Sequence, residues 1–192
     1  MHYRLFVLTN KENGKTSSEV RDYVRSKLDN DASFCGEGGR FGSPIGDWFM
    51  IGGRWSGALT LLKLDQDKLN AFWQEFEDKK LGWTNNSDKK EEDQMVKSAL
   101  LFKKYFPDFV GEIPVWRGSK VQYCHTGEPD DAQIVTEELW NALEKDYQEK
   151  HKSNIPTEPE AEEDGICDLE AEEVTKENVV GKKWIVVIDY HN

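Results

Sequence analysis

The chain has 192 residues, a formal net charge of -12 and seven tryptophans. That length suits one domain, or one domain with a tail. The charge argues against a general nucleic-acid binder, which needs clustered Lys and Arg to neutralise phosphates. No apolar run approaches the roughly 20 residues of a membrane span.

In chain order, "YRLFVLT" (Tyr3–Thr9) predicts a short apolar strand, closed by the turn-forming "NKENGK". "SSEVRDYVRSKL" follows with Val20, Tyr23, Val24 and Leu28 at helical spacing, and Ser17 or Ser18 as its cap. A glycine-rich loop, "CGEGGRFGSPIG", runs from Cys35 to Gly46. "DWFMI" and "WSGALTLLKL" then predict two antiparallel strands joined through Gly52-Gly53, a dipeptide suited to tight hairpins.

"DQDKLNAFWQEFEDKK" is amphipathic at helical period, with Leu69, Phe72, Trp73 and Phe76 on one face. A second helix is expected over "EEDQMVKSALLFKKYF", and strands over "IPVWRG" and "KVQYCH". "DDAQIVTEELWNALEKDYQEK" reads as one helix carrying Ile134, Leu139, Trp140 and Leu143. The stretch "EPEAEEDGICDLEAEE" (Glu158–Glu173) holds nine acids and no base. Such a run buries too little apolar surface to offset the entropy of ordering. Residues 153–177 are therefore expected to form a mobile acidic insertion.

The last strand, "KKWIVVIDYHN", is apolar without a break from Trp184 to Ile188, as in strands covered on both faces. Its natural neighbour is the first strand. The expected fold is α+β: a single mixed, mainly antiparallel sheet, first and last strands central or adjacent, with three to four flanking helices. One domain would span 1–152 and 178–192. Cys35, Cys124 and Cys167 are odd in number and form no CxxC pair, which fits reduced thiols. The opening apolar run is short for a signal peptide, so a cytoplasmic location and no membrane contact are expected.

Chemistry concentrates in "DWFMIGGRWSG" (Asp47–Gly57). Gly52 and Gly53 permit backbone N–H groups to approach an anion. Arg54 adds a planar donor fork that matches carboxylate or phosphate, and Arg40 repeats the arrangement in "GGRF". Trp48 and Trp55 could stack on a flat group. The competing structural reading is a Gly-Gly hairpin with Arg54 paired to Asp47 and both tryptophans in the core. Asp189 and His191 lie two apart on the last strand, the spacing for a carboxylate that orients an imidazole base or for two metal ligands. The further ligands a metal needs would come from His2, Cys124, His125 or Asp47, and no spacing brings these together.

The strand behind "MHY", the segment "DWFMIGGRWSG" and the closing "IVVIDYHN" resemble a group of bacteriophage and bacterial proteins of unassigned activity. Their shared pattern is an N-terminal M-x-H-Y/F strand, D-W-Y/F-x-x-G-G-R-W-x-G, and a final V-V-D-x-H. The resemblance covers some thirty residues. It places Asp47, Trp48, Gly52, Gly53, Arg54, Trp55, Asp189 and His191 on the pattern, while His2 stands one residue early. It implies a phage or mobile-element protein of the host cytoplasm.

Two functions follow. In the first, a pocket binds, and in one version hydrolyses, an anionic, nucleotide-like small molecule. Arg54, Arg40 and the glycine amides hold the anion, Trp48 or Trp55 stacks, and His191 with Asp189 moves the proton. In the second, the acidic stretch makes the protein a non-enzymatic inhibitor or decoy that docks on a basic host protein.

Overall fold

A computed structural model describes residues 2–30, 48–81, 88–109, 114–117, 120–123, 131–156 and 165–191. In chain order the elements are β1 (His2–Asn10), α1 (Ser17–Asn30), β2 (Trp48–Ile51), a 3-10 turn (Gly53–Trp55), α2 (Ala58–Leu62), α3 (Gln66–Asp78), α4 (Asp88–Tyr105), β3 (Pro114–Arg117), β4 (Lys120–Tyr123), β5 (Ala132–Ile134), α5 (Glu137–His151), β6 (Ile166–Asp168), α6 (Lys176–Val179) and β7 (Lys183–His191). They fall into two compact units, residues 1–63 with 130–192, and residues 64–129. The continuous body expected over 1–152 is thus divided. No helix among the described residues is long and apolar enough to cross a membrane.

The first unit is built on a mixed five-stranded sheet, ordered β2-β7-β1-β6, with β5 also paired to β7. β1 and β7 are central and antiparallel from His2↔His191 to Asn10↔Lys183. β6 lies parallel to β1. Ile185, Val186, Val187 and Ile188 are all fully buried, because the sheet is covered on both faces. On one face Phe6, Leu8, Ile185 and Val187 pack with α2 and with Leu139, Trp140, Leu143 and Tyr147 of α5. On the other, Leu5, Val7, Val186, Ile188 and Tyr190 meet Val20, Val24 and Leu28 of α1. Burying each such aliphatic side chain is worth about 1.5–3 kcal/mol. That is why an unbroken apolar strand is stable here.

The second unit has an aromatic core of its own. Phe72 of α3 meets Phe102 of α4 edge-on, with ring centroids 5.5 Å apart. Phe106 and Phe109 pack on Phe102 in turn. β3 and β4 are strands, as the sequence predicts, and they pair antiparallel in a two-stranded sheet of their own, outside the single sheet expected.

Three expectations are corrected. "WSGALTLLKL" is not a strand. Gly52 (φ 71°), Gly53 (φ 53°) and Gly57 (φ 79°) all adopt left-handed backbone, which turns the chain off β2 into the 3-10 turn and then α2. Ala58, Leu59 and Leu62 then bury one helical face. "DDAQIV" is not helical either: Ala132–Ile134 is β5, and the helix begins only after Thr136, whose side chain accepts from Leu139 N.

The acidic stretch, third, is built into the fold over 165–179. Ile166, Cys167 and Asp168 of β6 are buried, as are Val174 and Val179. Its acids are neutralised locally. Lys183, fully buried, lies 2.7 Å from Asp168 and 2.7 Å from Glu172. Glu170 accepts from Thr9 Oγ1 at 2.8 Å and from Asn13 Nδ2 at 2.7 Å. Burial lowers the Lys183 pKa, but the bonds to Asp168 and Glu172 outweigh it and the net shift is upward. Burial, with the Asp168 charge behind it, drives the Cys167 thiol far above its ordinary range, so it is inert. Of the expected insertion, 157–164 lies outside the described residues.

Candidate functional site

The glycine turn sits in a break along one side of β7. β2 pairs the outer half of that strand, from Trp48↔His191 through Met50↔Asp189 to Ile51↔Ile188. β5 pairs the inner half, from Ala132↔Val186 to Ile134↔Trp184. Val187 falls between the two. Gly52 N donates to its carbonyl at 2.8 Å, and its own N–H donates to Asp131 O at 2.9 Å. The ladder therefore continues across the point where β2 leaves and β5 begins, and no buried backbone group is orphaned there.

Two buried carboxylates hold this turn. Asp131 accepts from Gly57 N at 3.0 Å and from Ser56 Oγ at 3.2 Å, fixing the start of α2. A Cβ on Gly52 would stand 2.1 Å from Asp131 Oδ2, and one on Gly53 would stand 2.5 Å from Asp189 Cβ. Both positions also have positive φ, so glycine is required twice over. Asp189 is 3% exposed. It lies beneath the turn, and not at the solvated rim that its place near the chain end suggests.

Across the sheet, Arg4 of β1 is the backbone partner of Asp189. It is buried and donates from Nη2 to Asp146 Oδ2 of α5 at 2.6 Å. Its guanidinium carbon lies 4.6 Å from the Phe6 ring centre and 5.9 Å from that of Trp55. The Trp55 ring packs against the core, and its indole N–H is buried without an acceptor among the described residues. Native interiors leave few such donors unmet.

Of the residues singled out in the sequence, Gly52, Gly53, Trp55 and Asp189 come together here. Trp48 is the backbone partner of His191, which is also the partner of His2 on the other side. Arg54 lies within the 3-10 turn, between Gly53 and Trp55. Asp47, Arg40, Cys124 and His125 lie outside the described residues. Sequence reading missed Arg4, Asp131 and Asp146. The one local signal was Thr136 followed by two glutamates, a helix-start pattern that frees Asp131 and β5 from the helix.

No group of three or more His, Cys, Asp or Glu among the described residues is arranged to hold a metal ion. The arrangement is a turn seated on two buried carboxylates, with the Arg4 guanidinium paired to Asp146 and the Trp55 indole N–H buried beside it. Comparison with protein-family models, with curated proteins and with solved structures finds no match for this chain.

Proposed function

We propose that the turn at Gly52-Gly53, with Arg54, Trp48 and Trp55, binds an anionic, nucleotide-like small molecule. The observation that carries this reading is the turn that sets Arg54 between Gly53 and Trp55 and is held from below by Asp131 and Asp189. A loop pinned from below holds its donors in place before a ligand arrives, which spares the entropy of ordering them. Arg54 supplies the planar fork and the tryptophans the flat surface. The reading is one of binding. Asp189, packed beneath the turn, gives no support to a solvent-open acid–base pair with His191, so hydrolysis is left aside. The decoy reading loses force as well, because Asp168, Glu170 and Glu172 are engaged inside the fold.

The test begins with small molecules released from the denatured protein and identified by mass spectrometry. Titration calorimetry with adenosine and guanosine mono-, di- and triphosphates follows. Arg54→Ala is expected to abolish binding while circular dichroism stays native. An Arg54→Ala protein that binds as tightly as the parent removes the proposal, and so does one that unfolds.

A further inference from the structure

We propose that Asn13, in the turn between β1 and α1, is a site of spontaneous deamidation whose rate is set by the two side chains that hold its amide, Thr9 and Glu170. The reactive pair is Asn13 followed by Gly14. An asparagine before glycine cyclises readily, because no side chain hinders the approach of the next backbone nitrogen. Both residues are half-buried, so water reaches them.

The fold requires both members of this pair. A Cβ on Gly14 would stand 2.8 Å from Val20 N in the first turn of α1, a backbone atom with no room to yield. Asn13 Nδ2 donates to Thr9 Oγ1 at 2.8 Å and to Glu170 Oε1 at 2.7 Å. Thr9 Oγ1 donates to that same Glu170 oxygen at 2.8 Å. Three side chains thus close a ring that ties the turn to the segment after β6. Trp184 of β7 holds the backbone, its indole N–H donating to Lys11 O at 3.3 Å and to Gly14 O at 3.1 Å.

The reaction balances with water alone. Gly14 N attacks Asn13 Cγ, a C–N bond forms, the bond to the side-chain nitrogen breaks, and ammonia leaves with the Gly14 proton. Water then opens the cyclic imide at either carbonyl, leaving aspartate or isoaspartate. For Cγ to reach Gly14 N, the amide must give up Thr9 and Glu170. The closed ring therefore slows the step, which proceeds from molecules whose turn has opened. The product does not restore the ring. A carboxylate at position 13 has no hydrogen to donate, and it sets a second negative charge against Glu170. Glu170 already shares Lys183 with Asp168 and Glu172. Deamidation is thus a one-way release of the turn.

The intact protein and a synthetic peptide of residues 9–17 are kept side by side in mildly alkaline buffer, and conversion of Asn13 is followed by mass spectrometry. The protein is expected to convert between about tenfold and about a hundredfold more slowly than the peptide. Glu170→Ala removes a charge-assisted acceptor and should quicken conversion about tenfold. Thr9→Val should quicken it severalfold, and carries this arm alone if Glu170→Ala does not fold by circular dichroism. Asn13→Asp, standing for the product, should speed solvent exchange of the Trp184 indole N–H, whose NMR signal is assigned by its loss in Trp184→Phe. Equal rates in protein and peptide, no conversion in the protein, rates unchanged by the variants, or unaltered Trp184 exchange in Asn13→Asp would each overturn the inference.

Discussion

Gly53 covers Asp189 so closely that a methyl group on its α-carbon would meet the Asp189 Cβ at 2.5 Å and Oδ2 at 2.6 Å. The turn is seated on the last strand, and the carboxylate is its floor. Gly53→Ala adds both that clash and an L-residue at φ 53°. The positive φ alone costs about 1 kcal/mol, and forcing a methyl into a packed site typically adds about 1–3 kcal/mol. A loss of at least about 2 kcal/mol is expected in urea unfolding. Unchanged stability would mean that the turn does not rest on Asp189.

Asp131 is the complementary case, a buried acid whose acceptors are used. Asp131→Ala leaves the Gly57 N–H and the Ser56 hydroxyl without their partner. Stranding buried donors costs about 1–3 kcal/mol. Stability should fall by that amount, and amide exchange should quicken first at Gly57. If exchange there is unaltered, α2 is anchored by its apolar face alone.

The central pairing of β1 with β7 was legible, because unbroken apolar runs in a short chain require a covered strand on each side. α1, α3 and α4 were legible from four-residue spacing of large side chains. "ALTLL" was not: a five-residue apolar run fits a strand as well as a helix, and only the three left-handed glycines around it decide. The acids of 168–172 misled because composition is blind to partners distant in sequence. Lys183, Thr9 and Asn13, which absorb them, lie in β1, the turn after it and β7. The meeting of the glycine turn with the last strand could be anticipated from their residue types. Asp131 and Arg4 could not, since Asp131 acts 75 residues from Ser56 and Arg4 acts 142 residues from Asp146.

Lys183 tests that long-range neutralisation. Lys183→Met removes the cation from two carboxylates at 2.7 Å, one of them fully buried. Breaking a buried pair from one side costs about 3–5 kcal/mol, whereas replacing both partners with apolar groups is often neutral. Lys183→Met alone should destabilise by that amount, and Lys183→Met with Asp168→Asn, which removes the charge and keeps an oxygen for the Glu170 N–H at 2.9 Å, should recover most of it. A double variant no more stable than the single one would show that Asp168 is not the group left stranded.

In the second unit, Glu75 of α3 gathers three partners. Lys79 and Lys104 each lie 2.6 Å from a carboxylate oxygen, and the Tyr105 hydroxyl donates at 2.6 Å. Lys104 first, then Lys79 and Tyr105, lower its pKa from 4.5 to about 2. A lowered carboxyl pKa stabilises the fold above the unfolded value, and the benefit drains away as pH falls through the folded one. The stability gap between the parent protein and Glu75→Gln should therefore be level from about pH 6 to about pH 9 and close as pH falls through 4.5 toward about 2. Tyr105 carries the mirror effect. Its bond to Glu75 and its burial raise the phenol above 10.0, a benefit present below that pH and lost as the hydroxyl ionises. Glu75→Gln should bring the Tyr105 titration back toward its ordinary value in ultraviolet difference spectra. A Tyr105 titration unmoved by Glu75→Gln would show that the hydroxyl does not donate to this carboxylate in solution.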